Sequence, residues 1–388
     1  MLPDKNKKLV GIVSYNIHSN HLNYGTVLHS YAFQQYLKRH GVESVILDFV
    51  PPSLEHYHVK WPFLNNVRFW HIRSFLFYMA NWIFACFDNL SKFKKFQSFF
   101  DRCYVKTAKE YRTEQLKKMD SLEELQVDLW VCESDVIWKL YTCNGFFDVF
   151  FLNTPFMNKS KKVAYSPCLG SKKFNKDEVL TFKYLTQTFS AISCRERKSV
   201  EYVQRILNRE VSFVLDPTLL LSSDIYDRIV EPPKYRKYLL CYNCMSNDKE
   251  MLREAKKLAD RLGLQLIELS IFSINRMILG HKVVGDAGIE EFLGYMKFAD
   301  FVVCNSFHGA CFCKIYKKQF FVFERDKSDV KMHNLVETFG VIDRMIPCDN
   351  KHIPEVYSPI DYGAVEENIR PVLDDSIQFI NKYIISQI

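Results

Sequence analysis

Short apolar runs alternate with helical patterns along most of the chain. Residues 9–15 (LVGIVSY) form a run typical of a buried parallel strand, and apolar positions then recur at helical spacing over 27–37. Gly41 follows that helix in the position of a C-terminal cap, and residues 45–50 (VILDFV) predict a second strand that ends at Pro51. The chain is therefore predicted to begin with a β-α-β unit.

The same alternation continues through the rest of the chain. It predicts strands over 128–132, 162–166, 190–194, 211–215, 238–242, 265–269, 301–304 and 319–323, and helices over 199–207, 248–262, 289–297 and 310–316. Strands that alternate with helices indicate mostly parallel sheets covered on both faces. We therefore predict an α/β fold with two Rossmann-like lobes, mostly parallel sheets and a GT-B-like arrangement.

The chain length favours two domains, because 388 residues exceed what one hydrophobic core usually supports. The stretch 222–236 contains two consecutive prolines and is the predicted linker. We expect an amino-terminal lobe over 1–222 and a carboxyl-terminal lobe over 237–360. A final helix in 361–388 is expected to pack back across the cleft between them.

The segment 61–100 interrupts the alternation and is rich in aromatic residues. Residues 69–87 are apolar nearly all round, but Arg73 inside this stretch argues against a membrane-spanning helix. Phe and Trp with basic flanking residues are typical of a helix that lies on a membrane surface. Two interpretations stay open: packing against the protein's own sheet or a subunit partner, and peripheral contact with the inner face of the cell membrane.

Charge and composition exclude some classes of function. The net charge of +7 is modest, and the basic residues are spread along the chain without a basic stripe or a recognisable module, so no nucleic-acid partner is expected. The amino terminus lacks the apolar core of a secretory signal, which predicts a cytoplasmic location. A basic surface suits anionic lipid headgroups or an anionic small substrate.

The twelve cysteines lack the spacing of a disulfide framework and fit reduced thiols. Cys241 and Cys244 form one close pair, and Cys311 and Cys313 form another. Neither pair has a second pair of ligands at the spacing of a zinc site. We therefore expect thiols without a metal ion.

Polar loops follow the predicted strands, at the edge where parallel α/β sheets bind ligands. After the first strand, Asn23, Tyr24 and Gly25 precede a helix whose free N–H groups suit an anion or a hydroxyl group. Spacing alone favours an ordinary helix cap here. Ser134 and Asp135 follow the strand at 128–132, where they suit sugar hydroxyl groups or a cap on the next turn.

Two further loops place cationic or titratable side chains at strand ends. Arg195 lies between a strand and a helix N-terminus, a position that suits phosphate or carboxylate, or pairing with a neighbouring glutamate. His308 opens a helix after the strand at 301–304 and suits proton transfer near neutral pH, although most such histidines are structural. Arg325 follows the strand at 319–323 and adds a guanidinium group to the same lobe.

Six segments resemble, in order, the motifs of the polysaccharide pyruvyl transferase family. They are NYGT at 23–26 with the helix that follows, ESDVIW at 133–138, VAYSPCLG at 163–170, CRERKSVEYVQ at 194–204, VLDPTLLL at 214–221 and CNSFHGACF at 304–312. Each motif is short, but six in the same order over nearly the whole chain are specific.

The resemblance implies a GT-B-like transferase that uses phosphoenolpyruvate to form a pyruvate ketal on a sugar. The acceptor would be a lipid-linked precursor of a bacterial surface polysaccharide, such as a capsule or an exopolysaccharide. The implied reaction demands no metal ion and no organic cofactor.

The resemblance also implies roles for individual residues. His308 would be the catalytic acid and base. The donor would be bound by Arg195, Arg325, Ser306 and Gly309. The acceptor sugar would be bound by Asn23, Tyr24, Gly25, Ser134 and Asp135.

The chain departs from the family pattern at several of these positions. Glu133 replaces a glycine, which adds a carboxylate where an anionic donor would be repelled. Cys304 and Asn305 replace Thr and Asp before the SFHG turn, and Lys331 lies near a common arginine. Because Arg195 and His308 are retained, we interpret the changes as specialised acceptor recognition.

Two other functions fit the same predicted fold. One is a glycosyltransferase that uses a nucleotide sugar, since GT-B enzymes also bind phosphate groups in the second lobe. The other is a non-catalytic family member that binds polysaccharide intermediates.

Overall fold

A computed structural model describes residues 8–18, 22–55, 58, 72–122, 125–140, 145–170, 173–244, 247–277, 281–326 and 330–388. In the helix at 72–103, side chains are described at Leu76, at Ile83 and from Ala85 onward. The first part of the aromatic segment, residues 61–71, lies outside the described residues.

The amino-terminal lobe is built on a parallel sheet. In chain order its elements are β1 (Leu9–Val13), α1 (Tyr24–Arg39), β2 (Glu43–Ile46), β3 (Phe49–Val50), α2 (Ile72–Cys103), β4 (Tyr111–Arg112), α3 (Thr113–Leu116), β5 (Leu129–Glu133), β6 (Lys161–Tyr165), α4 (Lys176–Thr186), β7 (Ala191–Cys194), α5 (Arg197–Leu207), β8 (Ser212–Phe213) and α6 (Ser223–Asp227). Within the described residues the sheet has six strands in the order β2-β1-β5-β6-β7-β8, and every pair is parallel.

The carboxyl-terminal lobe repeats this architecture. Its elements are β9 (Tyr238–Asn243), α7 (Lys249–Leu262), β10 (Gln265–Ser270), β11 (Lys282–Val284), α8 (Ile289–Phe298), β12 (Phe301–Cys304), α9 (Phe307–Ile315), β13 (Phe320–Phe323), α10 (Val330–Phe339), β14 (Met345–Ile346) and α11 (Tyr362–Tyr383). The described strands form a parallel sheet in the order β11-β10-β9-β12-β13-β14. This order is that of a Rossmann sheet. The predicted fold class, with two Rossmann-like lobes in a GT-B-like arrangement, is confirmed.

The strands are buried on both faces, which explains their continuous apolar sequences. All five residues of β1 and all four of β12 and β13 are buried. Helices therefore cover both sides of each sheet, and the carboxyl ends of the strands remain for ligands.

The last helix, α11, connects the two lobes. Asp361 caps its first turn by accepting from the backbone N–H of Gly363 at 2.8 Å. Further along, the hydroxyl of Ser376 accepts a 2.8 Å hydrogen bond from the backbone N–H of Leu215, in the amino-terminal lobe. Phe379 packs against Tyr165 of β6 with ring centroids 6.0 Å apart. The helix thus contacts the amino-terminal sheet although it follows the carboxyl-terminal lobe in sequence.

The second half of α2 packs between the lobes. Phe96, Phe99 and Phe100 are buried in the largest apolar cluster, which contains residues of both sheets. Lys95 binds Glu291 at the start of α8, with Nζ 2.7 Å from Oε2. Asp88 accepts a 2.7 Å hydrogen bond from Ser273, which follows the carboxyl end of β10. This part of the aromatic segment therefore packs within the protein.

Candidate active site

The carboxyl ends of β5, β7 and β12 converge between the lobes. Ser134 and Asp135 follow β5 directly and both have left-handed backbone conformations, with φ of 48° and 54°. Residues other than glycine rarely adopt this region, and such strain is typical of functional sites. β5 lies beside β1, where the order of the strands reverses, so these side chains occupy the usual ligand position of the sheet.

Arg195, Ser134 and Asp216 form a buried hydrogen-bonded cluster. Arg195 Nη1 donates to Asp216 Oδ2 at 2.6 Å and to Ser134 Oγ at 2.9 Å. Ser134 Oγ donates to the same Asp216 oxygen at 2.7 Å. The other oxygen, Oδ1, accepts from the backbone N–H of Thr218 at 3.0 Å and from its hydroxyl at 2.8 Å. Each carboxylate oxygen of Asp216 thus accepts two hydrogen bonds, and these contacts fix the orientation of Arg195.

The electrostatics of Asp216 follow from these contacts. Burial alone would raise its pKa, but His308, Arg195 and His29 hold the pKa of Asp216 well below its ordinary value. The carboxylate is therefore charged at neutral pH. Asp216 lies in the DPT segment that resembles the family motif, yet spacing alone gave no reason to join it to Arg195.

His308 reaches this cluster from the carboxyl-terminal lobe. Its Nε2 lies 3.6 Å from Asp216 Oδ2, slightly beyond hydrogen-bond length, and has no described hydrogen-bond partner. The negative carboxylate favours a proton at Nε2, which leaves the Nδ1 lone pair on the side of Gly25. Burial lowers the pKa of His308 and Asp216 opposes this effect, but with the further lowering by Arg195 and His29 the pKa lies below its ordinary value. The imidazole is therefore neutral at pH 7 and able to accept a proton.

A second histidine, His29 of α1, is buried next to the site and was not predicted from the sequence. Its Nδ1 is 3.0 Å from both carboxylate oxygens of Glu133, and the hydroxyl of Ser30 also donates to Glu133. His29 Nε2 lies 4.0 Å from Asp135 Oδ2, and the rings of His29 and His308 are 6.0 Å apart. Glu133, His29 and Asp135 thus form a chain from the interior to the cleft.

The contacts of His29 correct the expectation about Glu133. Glu133 is fully buried and paired with His29, so its carboxylate is turned away from the cleft. Burial lowers the pKa of His29, but Glu133 outweighs burial and raises it above the ordinary value. His29, Arg195 and His308 in turn hold the pKa of Asp135 below its ordinary value, against the effect of burial.

The NYG segment packs against the opposite lobe. Asn23 caps α1 by accepting from the N–H of Gly25 at 2.9 Å. Tyr24 stacks on Phe292 with centroids 4.4 Å apart and donates its hydroxyl to the carbonyl of Ala287 at 2.9 Å. Gly25 faces His308, and a Cβ at this position would lie 2.0 Å from His308 Nδ1. Tyr24 therefore positions the lobes, while Gly25 makes room for His308.

The remaining predicted residues lie on the carboxyl-terminal side. Ser306 caps α9 by accepting from the N–H of Gly309 at 3.3 Å. Phe307 places its ring 4.6 Å below the guanidinium carbon of Arg195. Arg325 follows β13 at the same edge of the sheet as His308 and is half-buried. The structure thus joins Arg195, Ser134, Asp135 and His308, with Gly25 against His308.

Gly25 gives a test of this packing. We expect Gly25→Ala to lower turnover by about 100-fold, because displacement of a catalytic group by about 1 Å has effects of this size. Gly363→Ala is the matched control, since Gly363 also follows a tyrosine at the start of a helix. As at Gly25, the side chain of the N-cap residue accepts a hydrogen bond from the glycine N–H. There the added Cβ would meet the exposed Asp361 carboxylate at 3.1 Å. Equal activity of the two variants would contradict the assignment.

Among the described residues, one group has the composition of a metal site. Ligand atoms of His18, Asp48 and Glu110 lie within 4.8 Å of one another. Lys106 Nζ already lies 2.7 Å from Asp48 Oδ2, and His18 Nε2 lies 2.8 Å from Oδ1. The Asp48 charge is therefore balanced by side chains of the protein itself.

A family model described as polysaccharide pyruvyl transferase matches residues 23–327. A search of curated proteins finds no match to the chain.

Several solved structures are similar over nearly their whole length. The UDP-GlcNAc 2-epimerase from Methanocaldococcus jannaschii is 10% identical, covers 95% of this chain and 92% of its own, and has a TM-score of 0.49. The UDP-GlcNAc 2-epimerase from Neisseria meningitidis bound to UDP-GlcNAc is 9% identical, with coverages of 98% and 94% and a TM-score of 0.48. MurG from Acinetobacter baumannii is 8% identical, with coverages of 97% and 99% and a TM-score of 0.44.

Proposed function

This chain belongs to the polysaccharide pyruvyl transferase family, and we propose that it forms a pyruvate ketal on a sugar from phosphoenolpyruvate. The observation that carries the proposal is the neutral His308 beside the buried Arg195–Asp216 pair, at the carboxyl ends of strands from both lobes. This arrangement supplies a proton acceptor and a fixed guanidinium group in one cleft.

The proposed reaction balances without an oxidant or a cofactor. The methylene carbon of phosphoenolpyruvate gains a proton, and one sugar hydroxyl oxygen bonds to the central carbon. The bond from that carbon to the phosphate oxygen then breaks, and its electron pair leaves with phosphate. A second hydroxyl of the same sugar bonds to the central carbon and completes the ketal. One hydroxyl proton ends on the methyl group, and the other leaves with phosphate.

The side chains have different roles in this reaction, according to their charge. His308 accepts the proton of the first sugar hydroxyl and returns it to the methylene carbon. Asp135, kept ionised by His29 and Arg195, accepts a hydrogen bond from the acceptor sugar. Arg195 stabilises the carboxylate or phosphate of the donor as charge develops there.

The anionic donor needs more positive charge than the buried cluster supplies. Asp135 and Asp216 are held ionised there, and both lie within 4.0 Å of the single guanidinium group of Arg195. Lys331 of α10 is close enough to Asp135 to lower its pKa and adds a cation from the opposite lobe. We assign Lys331 and Arg325 to the donor, together with Arg195.

The test is incubation with phosphoenolpyruvate and lipid-linked oligosaccharides, followed by mass spectrometry. Ketal formation adds one pyruvate less one water to the acceptor and releases phosphate in equal amount. Transfer from a labelled nucleotide sugar in place of phosphoenolpyruvate would favour the glycosyltransferase alternative. Binding of the oligosaccharide without phosphate release would favour a non-catalytic member.

One face of α2 supports contact with the membrane that would carry such an acceptor. Leu76, Ile83 and Phe87 are 58%, 63% and 83% exposed. Spacings of seven and four residues place them on the same side of the helix. No described helix is long and apolar enough to span a bilayer. We assign this face to the cytoplasmic surface of the membrane, where the exposed Lys94 would meet anionic headgroups.

Two substitutions test this face. We expect Ile83→Asp with Phe87→Asp to weaken binding to phosphatidylglycerol vesicles by at least about tenfold, because each large apolar side chain gains about 1.5–3 kcal/mol on burial. The control is Leu180→Asp with Tyr184→Asp on α4, whose side chains are 64% and 62% exposed. Equal vesicle binding of both pairs would contradict membrane contact. A shift from dimer to monomer on gel filtration would assign the face to a subunit partner instead.

A further inference from the structure

An open pocket lies between the lobes beside the proposed active site. The start of α1, the side of α2 and the carboxyl ends of β9 and β10 form its walls. Its lining includes Asn23, Tyr24, Lys92, Tyr242, Cys244 and Ser270. Tyr24 lines this pocket while the adjacent Gly25 packs on His308, so the two sites are neighbours along the cleft.

Lys92 of α2 is a buried cation without a counter-charge in direct contact. It is 4% exposed, and in the described part of the chain no carboxylate lies within ion-pair distance of its ammonium group. Its Nζ instead lies 4.4 Å from the ring centroid of Tyr24 and 5.5 Å from that of Phe96. Lys95, one turn further, is by contrast bound by Glu291 and Asp286.

The position of Lys92 calls for an anionic ligand. Burial of a charge without a partner is unfavourable, and here burial lowers the pKa of Lys92 to about 8. The ammonium group is still mostly protonated at pH 7 and lines the pocket. The first turn of α1 adds the positive end of a helix dipole, which also favours an anion.

We propose that this pocket binds a phosphate group of the acceptor, beside the sugar that receives the pyruvyl group. The inference rests on the proposed function, because an acceptor joined to a lipid carrier through phosphate would bring that charge to the cleft. A lysine suits this role, since it binds phosphate as a point charge and tolerates several phosphate geometries. Inorganic phosphate released from the donor has the same chemistry and is the competing source.

Binding of inorganic pyrophosphate tests the site without any turnover, so the result does not depend on pyruvyl transfer. We expect Lys92→Met to weaken pyrophosphate binding by at least about tenfold in isothermal titration, as for the loss of a hydrogen bond to a charged group. Lys183→Met is the control, because Lys183 also lies within a helix, α4, and is exposed. It should bind pyrophosphate like the wild type.

A second titration, with phosphoenolpyruvate, separates the two sources of phosphate. If the pocket belongs to the acceptor, Lys92→Met binds phosphoenolpyruvate within twofold of the wild type, and pyrophosphate does not compete with it. An equal loss of affinity for both ligands would assign Lys92 to the donor and overturn the proposal. Undiminished pyrophosphate binding in Lys92→Met would overturn it as well. Lys92→Arg retains the charge and should keep at least part of the affinity, which separates loss of charge from misfolding.

Discussion

His308→Asn is expected to lower kcat for pyruvyl transfer by about 10²–10⁴-fold, the usual contribution of a positioned acid or base. Asparagine retains a polar side chain but cannot accept and return a proton near neutral pH. Phosphate release and the mass of the acceptor would both report the loss. His352→Asn is the control, since His352 belongs to the same lobe but is exposed and paired with Glu254.

The pH dependence of kcat/KM gives a sharper readout of the same residue. Burial lowers the pKa of His308 below its ordinary value of about 6.5. The neutral form is the active base, so activity should rise with pH through a value below about 6.5 and be lost as pH falls through it. His308→Asn should remove this acidic limb. Retention of the limb, or of more than a tenth of the activity, would contradict the assignment.

The main strands could be predicted because they are buried on both faces and have continuous apolar sequences. The predicted strand at 211–215 is shorter in the structure, where β8 covers Ser212–Phe213. The N–H of Leu215 is used by Ser376 of α11, a contact that no local pattern reveals. Helix α4 was missed, although Asn175 and Glu178 form the capping box that marks its start.

The residues of the candidate site were predictable where a motif lies at the end of a strand. Arg195, Ser134 and Asp135 follow strands directly, His308 lies in the first turn of the helix after β12, and the structure brings them together. The role of His29 was not predictable, because a histidine on the buried face of a helix looks like any core residue. Its partner Glu133 is 104 residues away, and the pairing appears only when α1 packs on β5.

The pairing of Glu133 with His29 also changes how we interpret the glutamate that stands where the family has a glycine. In isolation, a glutamate where the family has a glycine predicts repulsion of an anionic donor. In the structure Glu133 raises the pKa of His29, and His29 is the largest of the effects that lower the pKa of Asp135. The departure from the family pattern therefore acts on the residue that we assign to the acceptor sugar, which is consistent with specialised acceptor recognition.

Asp216→Asn is expected to lower the free energy of unfolding by about 3–5 kcal/mol, because it leaves the Arg195 charge buried without its partner. The amide would also place an N–H group against the donors that now bind the two carboxylate oxygens. Urea denaturation would measure the loss. Asp224→Asn, which removes the exposed partner of Arg39, is the control and should leave stability unchanged.

The pH dependence of stability distinguishes this charge effect from a simple loss of packing. The pKa of Asp216 is depressed in the folded state, so its contribution to stability is fully present above the unfolded value of about 3.9 and is lost as pH falls through the folded pKa. In Asp216→Asn this contribution to acid unfolding should disappear. Addition of Arg195→Met to Asp216→Asn should recover part of the stability, because the unpaired charge is gone. A double variant that is less stable than Asp216→Asn would contradict the buried ion pair as the cause.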